Sequence, residues 1–476
     1  MEPPAPDKIA REAAAKLRCA FLKVGLVYSL LIVYSSTVIG PVGLNFVLVD
    51  LHTAWHEFLA VNYLPKGSLV RSDWVGNLLM LAPLGYISTG TLWPQRSELR
   101  RGFAVVAALG FCLIFLLAIK FAQLFFPPRT VALDYIIAQS LGALAGVVLF
   151  VGSRQVFARL HAGGRAALTV ALGTYALALL GFLLFPFDFV LSRSDLHQRL
   201  EELPHLLFAV PGAGRQFPWV MIAAVLAAVE TAPLGMLIGF HCRRHCVLVA
   251  GVIGLCGMAG ICLLQMVILD ATPSIIAVLY RSFGIVAGAV TVRSITLLRL
   301  LRWRFALARA VPGLALFYLL AVLLTKDVSG ADWRTPEEAW AALDVSGLWP
   351  FWHAYIVSKP HAVRSIVAHV VMYAPIGVMV WLRRGDRQHG RVLATTLAVT
   401  LSIVVEIGRW FRPGLQPDFT NLIIAGCAAW FAIPLSEWMW RALAESFPIP
   451  GLPPIRGPST FSTRIGKPAR MPREAG

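Results

Sequence analysis

The sequence predicts an all-α integral membrane protein with about twelve transmembrane helices arranged as three four-helix repeats. Three observations carry that prediction. The 476 residues are 58% hydrophobic and only 14% charged, with a mean hydropathy of +0.71, and a water-soluble fold has no use for so much apolar surface with so little charge. The apolar residues gather into twelve runs near the ~20 residues that cross a bilayer. A short motif recurs once in every four of those runs.

In chain order the runs centre on 24–43, 76–93, 103–126, 134–153, 167–190, 217–240, 247–269, 274–292, 310–325, 365–382, 392–411 and 419–440, the ninth being short. An even number puts both termini on one side. Short cytoplasmic loops are enriched in Lys and Arg, and this bias assigns the termini and the even-numbered loops to the inside. Those segments then hold 27 of the 42 basic residues, the outer segments 11, whereas the acids divide 7 inside and 15 outside. The net charge of +17 is therefore mostly a topology signal. Nucleic-acid binding is not expected, because no loop combines a basic patch with base-stacking aromatics.

The flanks carry less. Residues 1–20 alternate apolar and charged side chains, as in Ile9, Ala10, Ala13 and Leu17 against Lys8, Arg11, Glu12, Lys16 and Arg18. They read either as an amphipathic helix on the inner membrane surface or as a basic leader that only sets topology. The first apolar run lacks a cleavage site and is expected to stay as a signal anchor. The prolines beyond 446 predict a disordered basic tail, with the last unit ending near 441. Seven cysteines, four of them (Cys112, Cys256, Cys262 and Cys427) inside apolar runs, do not suggest a disulfide scaffold.

The repeat lies in the second, sixth and tenth runs, which contain Ala82-Pro83-Leu84-Gly85, Ala232-Pro233-Leu234-Gly235 and Ala374-Pro375-Ile376-Gly377. Gln123 precedes Gly142 by 19 residues, Gln265 precedes Gly284 by 19, and Glu406 precedes Gly426 by 20. Gly142-x-x-x-Gly146 matches Gly284-x-x-x-Gly288, a small-residue face suited to close helix contact. Asp134 and Asp418 each stand 8 residues before the glycine, and Ile276 takes that place in the middle. The chain divides into units at 21–165, 166–305 and 306–441. Four-helix units repeat in the same orientation, unlike the three-helix inverted repeats of the large two-lobed carriers.

A second helix of the form N-x5-P-L-G, a third helix ending in an acid or amide, an arginine in the next short turn, and a fourth helix opening with Asp before Gly-x-x-x-Gly resemble the VanZ-like membrane family, whose founding member is a teicoplanin-resistance protein. In the first unit the carriers are Asn77, Pro83, Gly85, Gln123, Arg129, Asp134, Gln139, Gly142 and Gly146, with Gln139 where the family usually has Asn. In the third they are Pro375, Gly377, Glu406, Arg412, Asp418 and Gly426, with His369 replacing the Asn. The middle unit keeps only Pro233, Gly235, Gln265, Gly284 and Gly288 and is expected to have lost its polar lining. The resemblance implies a multi-pass protein of the bacterial cytoplasmic membrane connected with the cell envelope or glycopeptide resistance.

The predicted topology sets Lys120, Gln123, Gln265, Glu406 and Arg409 at the outer ends of their helices, together with Asn77, Asp134, Gln139, His369, Asp418 and Asn421. Charges in hydrocarbon cost several kcal/mol unless paired or hydrated, so a one-sided cluster implies a hydrated hollow or a polar ligand at that face. The candidate ligand-binding residues are Glu406, Arg409, Arg412, Asp418 and His369, which are expected to line one hollow in the third unit, with Asn77, Lys120, Gln123, Arg129 and Asp134 in the first. The alternative is structural, with Glu406 paired to Arg409 one turn on, Arg129 to Asp134, and Arg412 to Asp418. Glu230 and Arg281 are expected to neutralise each other.

His52-x-x-x-His56 lacks an identifiable third metal ligand, and His241-Cys242 and His245-Cys246 are too close together to wrap one tetrahedral ion. No nucleotide or hydrolase signature is present, so no cofactor is expected. Two function classes remain. One is an envelope protein that binds the headgroup of a membrane lipid or lipid-linked glycan, or a glycopeptide lipid tail, at the outer leaflet. The other is a membrane enzyme or transporter that modifies or moves such a precursor, with Glu406, Asp418 or His369 as acid or base.

Overall fold

The computed structural model describes residues 6–447 apart from 38–45, 63–70, 94–96, 128–130, 186, 191, 209–216, 243, 270, 326–332, 358 and 385–386. Twelve of its helices are long and apolar enough to cross a membrane. Only helices and closed barrels satisfy every backbone polar group inside hydrocarbon, and among the described residues no barrel strand is present.

The elements come in three successions of one pattern: a span, one or more short helices, then three further spans. The first contains α1 (Pro6–Thr37), the short α2 (Leu51–Leu59), α3 (Arg71–Leu92), α4 (Glu98–Gln123) and α5 (Leu133–Ala162). The second contains α6 (Gly164–Leu184), the short α7 (Arg193–Leu207), α8 (Phe217–His241), α9 (Cys246–Met266) and α10 (Ile275–Ser294). The third contains α11 (Leu297–Thr325), the short α12 (Pro336–Ala341) and α13 (Trp352–Ile356), then α14 (Lys359–Arg383), α15 (Arg387–Trp410) and α16 (Phe419–Ser446). Successive spans alternate in direction, so the short helices share one end of the bundle.

In every succession the second and fourth spans pack closest, and the glycine of the A-P-[LI]-G motif permits it. A Cβ on Gly85 would stand 2.2 Å from the Ala143 carbonyl oxygen, one on Gly235 1.8 Å from that of Ile285, and one on Gly377 2.4 Å from that of Ala429. Each contacted carbonyl lies ten residues past the start of its helix. The motif proline has a recurring neighbour as well. Proline lacks the amide that would serve the carbonyl four residues before it, and at the adjacent carbonyl, three residues before the proline, a tyrosine from the first span donates. Tyr28 donates to Met80 at 2.7 Å, Tyr175 to Glu230 at 2.7 Å, and Tyr318 to Met372.

The fourth spans differ in register from the sequence reading. Gly142 and Gly146 press on Leu78 and Ala82, and Gly284 and Gly288 on Ala228 and Ala232, but Gly426 faces Thr395 and Val399 of α15 instead of α14. Asp134 is the second residue of α5, whereas Asp418 caps α16 from outside it. The two aspartates therefore do not occupy one helical position. The small residues of α16 that meet Gly377 are Ala429 and Ala432, which a search for glycine does not find.

Other boundaries also move. Residues 6–20 are helical and continuous with the first span, and residues 1–5 of the expected leader lie outside the described residues. The ninth run is lengthened by Leu297–Arg309, which continue the helix where the sequence suggested a basic loop. The turns between successions fall at Gly163 and at 295–296, not at 165 and 305. Gly163 has φ +76°, a left-handed conformation that suits glycine, and the amide of Gly164 donates to Glu445 at 2.7 Å, tying this turn to the end of α16. Helix α16 carries five residues past the expected end at 441, and the tail from 448 lies outside the described residues.

The short helix of the middle succession is held by Arg199, whose side chain is 1% exposed. Its guanidinium donates to the carbonyls of Gln265, Met266, Leu269 and Ala271 at 2.7–3.1 Å. Gln265 and Met266 are the last two residues of α9, and Leu269 and Ala271 lie in the turn towards α10. The sequence marked Arg199 only as an outer cation, because nothing local distinguishes a clamp from a solvated charge.

Candidate functional site

At the short-helix end of the third succession a cavity of about 560 Å³ opens between α13, α14, the α15–α16 turn and the start of α16. Helix α14 contributes His361, Ser365 and His369, spaced four apart so that they fall on one face, with Ala362 and Ile366 beside them. The last turn of α15 contributes Arg409, the α15–α16 turn Arg412 and Asp418, α16 contributes Thr420, Asn421 and Ile424, and α13 contributes His353.

Two local devices fix the lining. Asp418 caps α16, its Oδ1 accepting from the Thr420 amide at 2.9 Å, which satisfies one of the donors a helix start leaves open. Helices α12 and α13 are clamped onto the turn: the Trp410 indole donates to the Ala339 carbonyl at 2.6 Å, Gln416 Nε2 to that of Ala342 at 2.7 Å, and the Phe351 amide to Thr420 Oγ1 at 2.7 Å. Phe351 opens α13 at φ +63°, a region that costs a non-glycine residue about 1–3 kcal/mol and persists only where contacts impose it.

Glu406 lies beneath this floor, 5% exposed. One carboxylate oxygen accepts from the Asp418 amide at 2.8 Å, the other from Asn421 Nδ2 at 2.8 Å, and Arg409 Nη1 approaches both at 3.3 Å. Its acceptor capacity is thus engaged by the protein itself. Tyr373, fully buried on α14, stands beside Ser402, with Glu406 and Arg409 near enough to act on it electrostatically. His369, 7% exposed, is oriented by its Nδ1 contact with the Ser365 carbonyl at 2.8 Å.

Of the residues expected in this hollow, Arg409, Arg412, Asp418 and His369 line it, and Glu406 supports it from below. The expected pairing of Arg412 with Asp418 is absent: Asp418 caps the helix, and Arg412 Nη1 is buried without a hydrogen-bond partner. His353 and His361 were missed. The His361-x3-Ser365-x3-His369 spacing could have revealed the second, whereas His353 reaches the cavity only because α13 folds over the turn.

The first-succession residues form a separate arrangement. Gln139 Nε2 donates to Asn77 Oδ1 at 2.7 Å, and Lys120 Nζ lies 5.6 Å from the centre of the Tyr135 ring. Asp134, 2% exposed, accepts from the Tyr135 amide at 2.8 Å and keeps its other oxygen unpartnered. Arg129 lies outside the described residues. Gln123 donates to the Ser36 carbonyl at 3.0 Å, and Gln265 repeats this in the middle succession with Leu183 at 2.8 Å. Both amides fasten the third span to the last turn of the first, which is a structural task.

In the middle succession Glu230 and Arg281 approach to 3.9 Å, as their expected neutralisation requires. His52 and His56 sit 3.3 Å apart between their Nε2 atoms on exposed α2, and no group of three metal-ligating side chains occurs among the described residues.

Residues 22–157 match the family model described as VanZ/LLP1. The chain carries a VanZ-like segment. That segment covers the second half of α1, all of α2, α3 and α4 and most of α5, so it contains the Asn77–Gln139 arrangement, and the cavity of the third succession lies outside it. No curated protein and no solved structure matches the chain.

Proposed function

We propose that this VanZ-like protein is built from three tandem units in the bacterial cytoplasmic membrane, with both termini inside. In this reading the third unit binds the headgroup of a membrane lipid or lipid-linked glycan from the extracytoplasmic leaflet and thereby affects the cell envelope. The observation that carries the reading is the cavity: about 560 Å³, lined by two arginines, three histidines, an aspartate and an asparagine, at one end of a bundle of twelve apolar helices. That volume is in the range of ligand sites (~300–1,000 Å³). Polar groups at membrane depth are tolerated where they serve a pathway or a ligand. The recurring glycine–carbonyl and tyrosine–carbonyl contacts support the three-unit reading. Binding is favoured over acid–base chemistry because Glu406, the most buried carboxylate at the site, is held by an amide, a carboxamide and a guanidinium, which suits a fixed anchor better than a proton carrier.

Orientation is tested in a cysteine-free background with single cysteines at Thr296 and Gln198, both exposed and at opposite ends of the bundle. A membrane-impermeant maleimide applied to intact cells is expected to label the Gln198→Cys protein and to spare the Thr296→Cys protein; the reverse pattern would invert the topology. Function is tested by lipid and cell-wall precursor profiling of a deletion strain. The expected result is altered abundance or distribution of a lipid-linked species with unchanged chemical structure, restored by the wild-type gene. A missing covalent modification would favour the enzyme class, and an unchanged profile would remove the envelope-lipid reading.

A further inference from the structure

We propose that the third-unit cavity recognises a phosphate group, with Arg412 and His353 as its direct donors. This rests on the headgroup reading above and names the chemistry of the part of the headgroup that is bound.

Several polar atoms around the cavity are already used. Each carboxylate at the site has internal work: Asp418 caps α16, and Glu406 takes the Asp418 amide, Asn421 and Arg409. The unused capacity is that of a guanidinium, which can only donate, and of an imidazole nitrogen, which donates in one tautomer or when protonated. Arg412 Nη1 and His353 Nε2 are both buried and both without a hydrogen-bond partner, and both residues line the same cavity. Buried donors are rarely left unsatisfied in a native structure, and a charged one least of all. With Arg409 occupied by Glu406, Arg412 is the lining cation that lacks a carboxylate partner.

Those unused donors select the ligand. A cationic headgroup would meet an arginine facing it and carboxylates already committed elsewhere. A neutral sugar could hydrogen-bond but would leave the Arg412 charge uncompensated in a low-dielectric site, where an unpaired charge is costly. A phosphate brings negative charge and several acceptor oxygens, and it matches the planar guanidinium fork. The imidazole of His353 can donate to a second oxygen through Nε2. His361, exposed at the cavity mouth, adds a further donor for the same group or its ester oxygen.

The test uses the full-length protein in nanodiscs of neutral lipid, titrated with three probes: dihexanoyl-phosphatidylglycerol, a dihexanoylglycerol carrying an uncharged glucosyl headgroup, and inorganic phosphate. The expected result is saturable binding of the phospholipid at least 10-fold tighter than that of the glycolipid, weakened at least 10-fold by Arg412→Gln and several-fold by His353→Phe. Arg441→Gln, which alters a pair with Glu437 on α16, should bind as wild type. Inorganic phosphate that competes with the phospholipid at similar affinity identifies a free-phosphate site, whereas much weaker competition assigns the phosphate to a lipid headgroup; either supports the proposal. Equal affinity for phospholipid and glycolipid overturns the phosphate assignment while leaving headgroup binding in place. Failure of both lipids and of phosphate to bind overturns both readings. The comparison of probes on the wild-type protein decides the matter even where Arg412→Gln does not fold.

Discussion

Gly146→Val is expected to prevent stable folding of the protein, whereas Gly152→Val six residues further along the same helix should be silent. A Cβ at Gly146 would lie 1.9 Å from the Ala82 carbonyl oxygen and 2.8 Å from the Tyr86 amide nitrogen. Both obstacles are backbone, so no rotamer change can relieve them and α3 and α5 must separate. Overpacking costs ~1–3 kcal/mol where side chains can yield, and a backbone clash belongs at about the upper end. Separation also gives up the interlocking contacts that substitute for a hydrophobic driving force between helices in lipid. Gly152 has nothing within 4 Å of its would-be Cβ. Gly288→Val should fail as Gly146→Val does, since its Cβ would stand 1.9 Å from the Ala232 carbonyl oxygen. Size-exclusion profiles of fluorescently tagged variants in mild detergent measure this. A monodisperse Gly146→Val protein with wild-type yield would contradict the packing argument.

The same glycines show why the spans were legible and the register was not. Length and apolarity determine a membrane span almost alone, so runs such as 134–153 and 247–269 reappear as apolar spans within a few residues at each end. The close approach of second and fourth spans was readable where glycine made it, at Gly142, Gly146, Gly284 and Gly288. In the third succession Ala429 and Ala432 meet α14, and one alanine in an apolar helix resembles any other. Gly426 therefore gave a register displaced from the packing. The tyrosine donors were invisible for another reason: Tyr28, Tyr175 and Tyr318 stand 55–58 residues from the motif prolines, with different neighbours. Nothing in a local window ties them together.

The candidate site divides along similar lines. His369, Glu406, Arg409, Arg412 and Asp418 are ionisable or polar groups inside or beside apolar runs, where their cost draws notice. The sequence could not apportion their partners. Arg412 and Asp418 bracket a short turn and so suggested an ion pair, yet the helix start of α16 competes for Asp418 and obtains it. His353 belongs to a segment that no periodicity identifies as helical, and its place at the cavity depends on tertiary clamps from Trp410, Gln416 and Thr420.

Replacing Glu406 alone by leucine should be among the most damaging changes at the site, and replacing Glu406 and Arg409 together should be milder. The single change leaves Arg409 without its counter-charge and takes acceptors from the Asp418 amide and Asn421 Nδ2. Removing one member of a buried pair costs ~3–5 kcal/mol, much of it the penalty of the charge left behind. Glu406→Leu with Arg409→Met removes that penalty and leaves only the two neutral donors, whose loss of a partner costs ~1–3 kcal/mol each. Adding Asn421→Leu removes one of those donors and should recover stability further. Thermal unfolding of the purified proteins is expected to rank the variants in that order, the single mutant lowest. The ranking also separates structure from binding, because Arg409 borders the cavity whereas Glu406 supports its floor. If Arg409 contacts the headgroup, the double mutant should fold and still fail to restore the lipid profile of a deletion strain. A double mutant that folds and restores it fully would confine Glu406 and Arg409 to holding the α15–α16 turn, and recognition would then fall to Arg412 and the histidines.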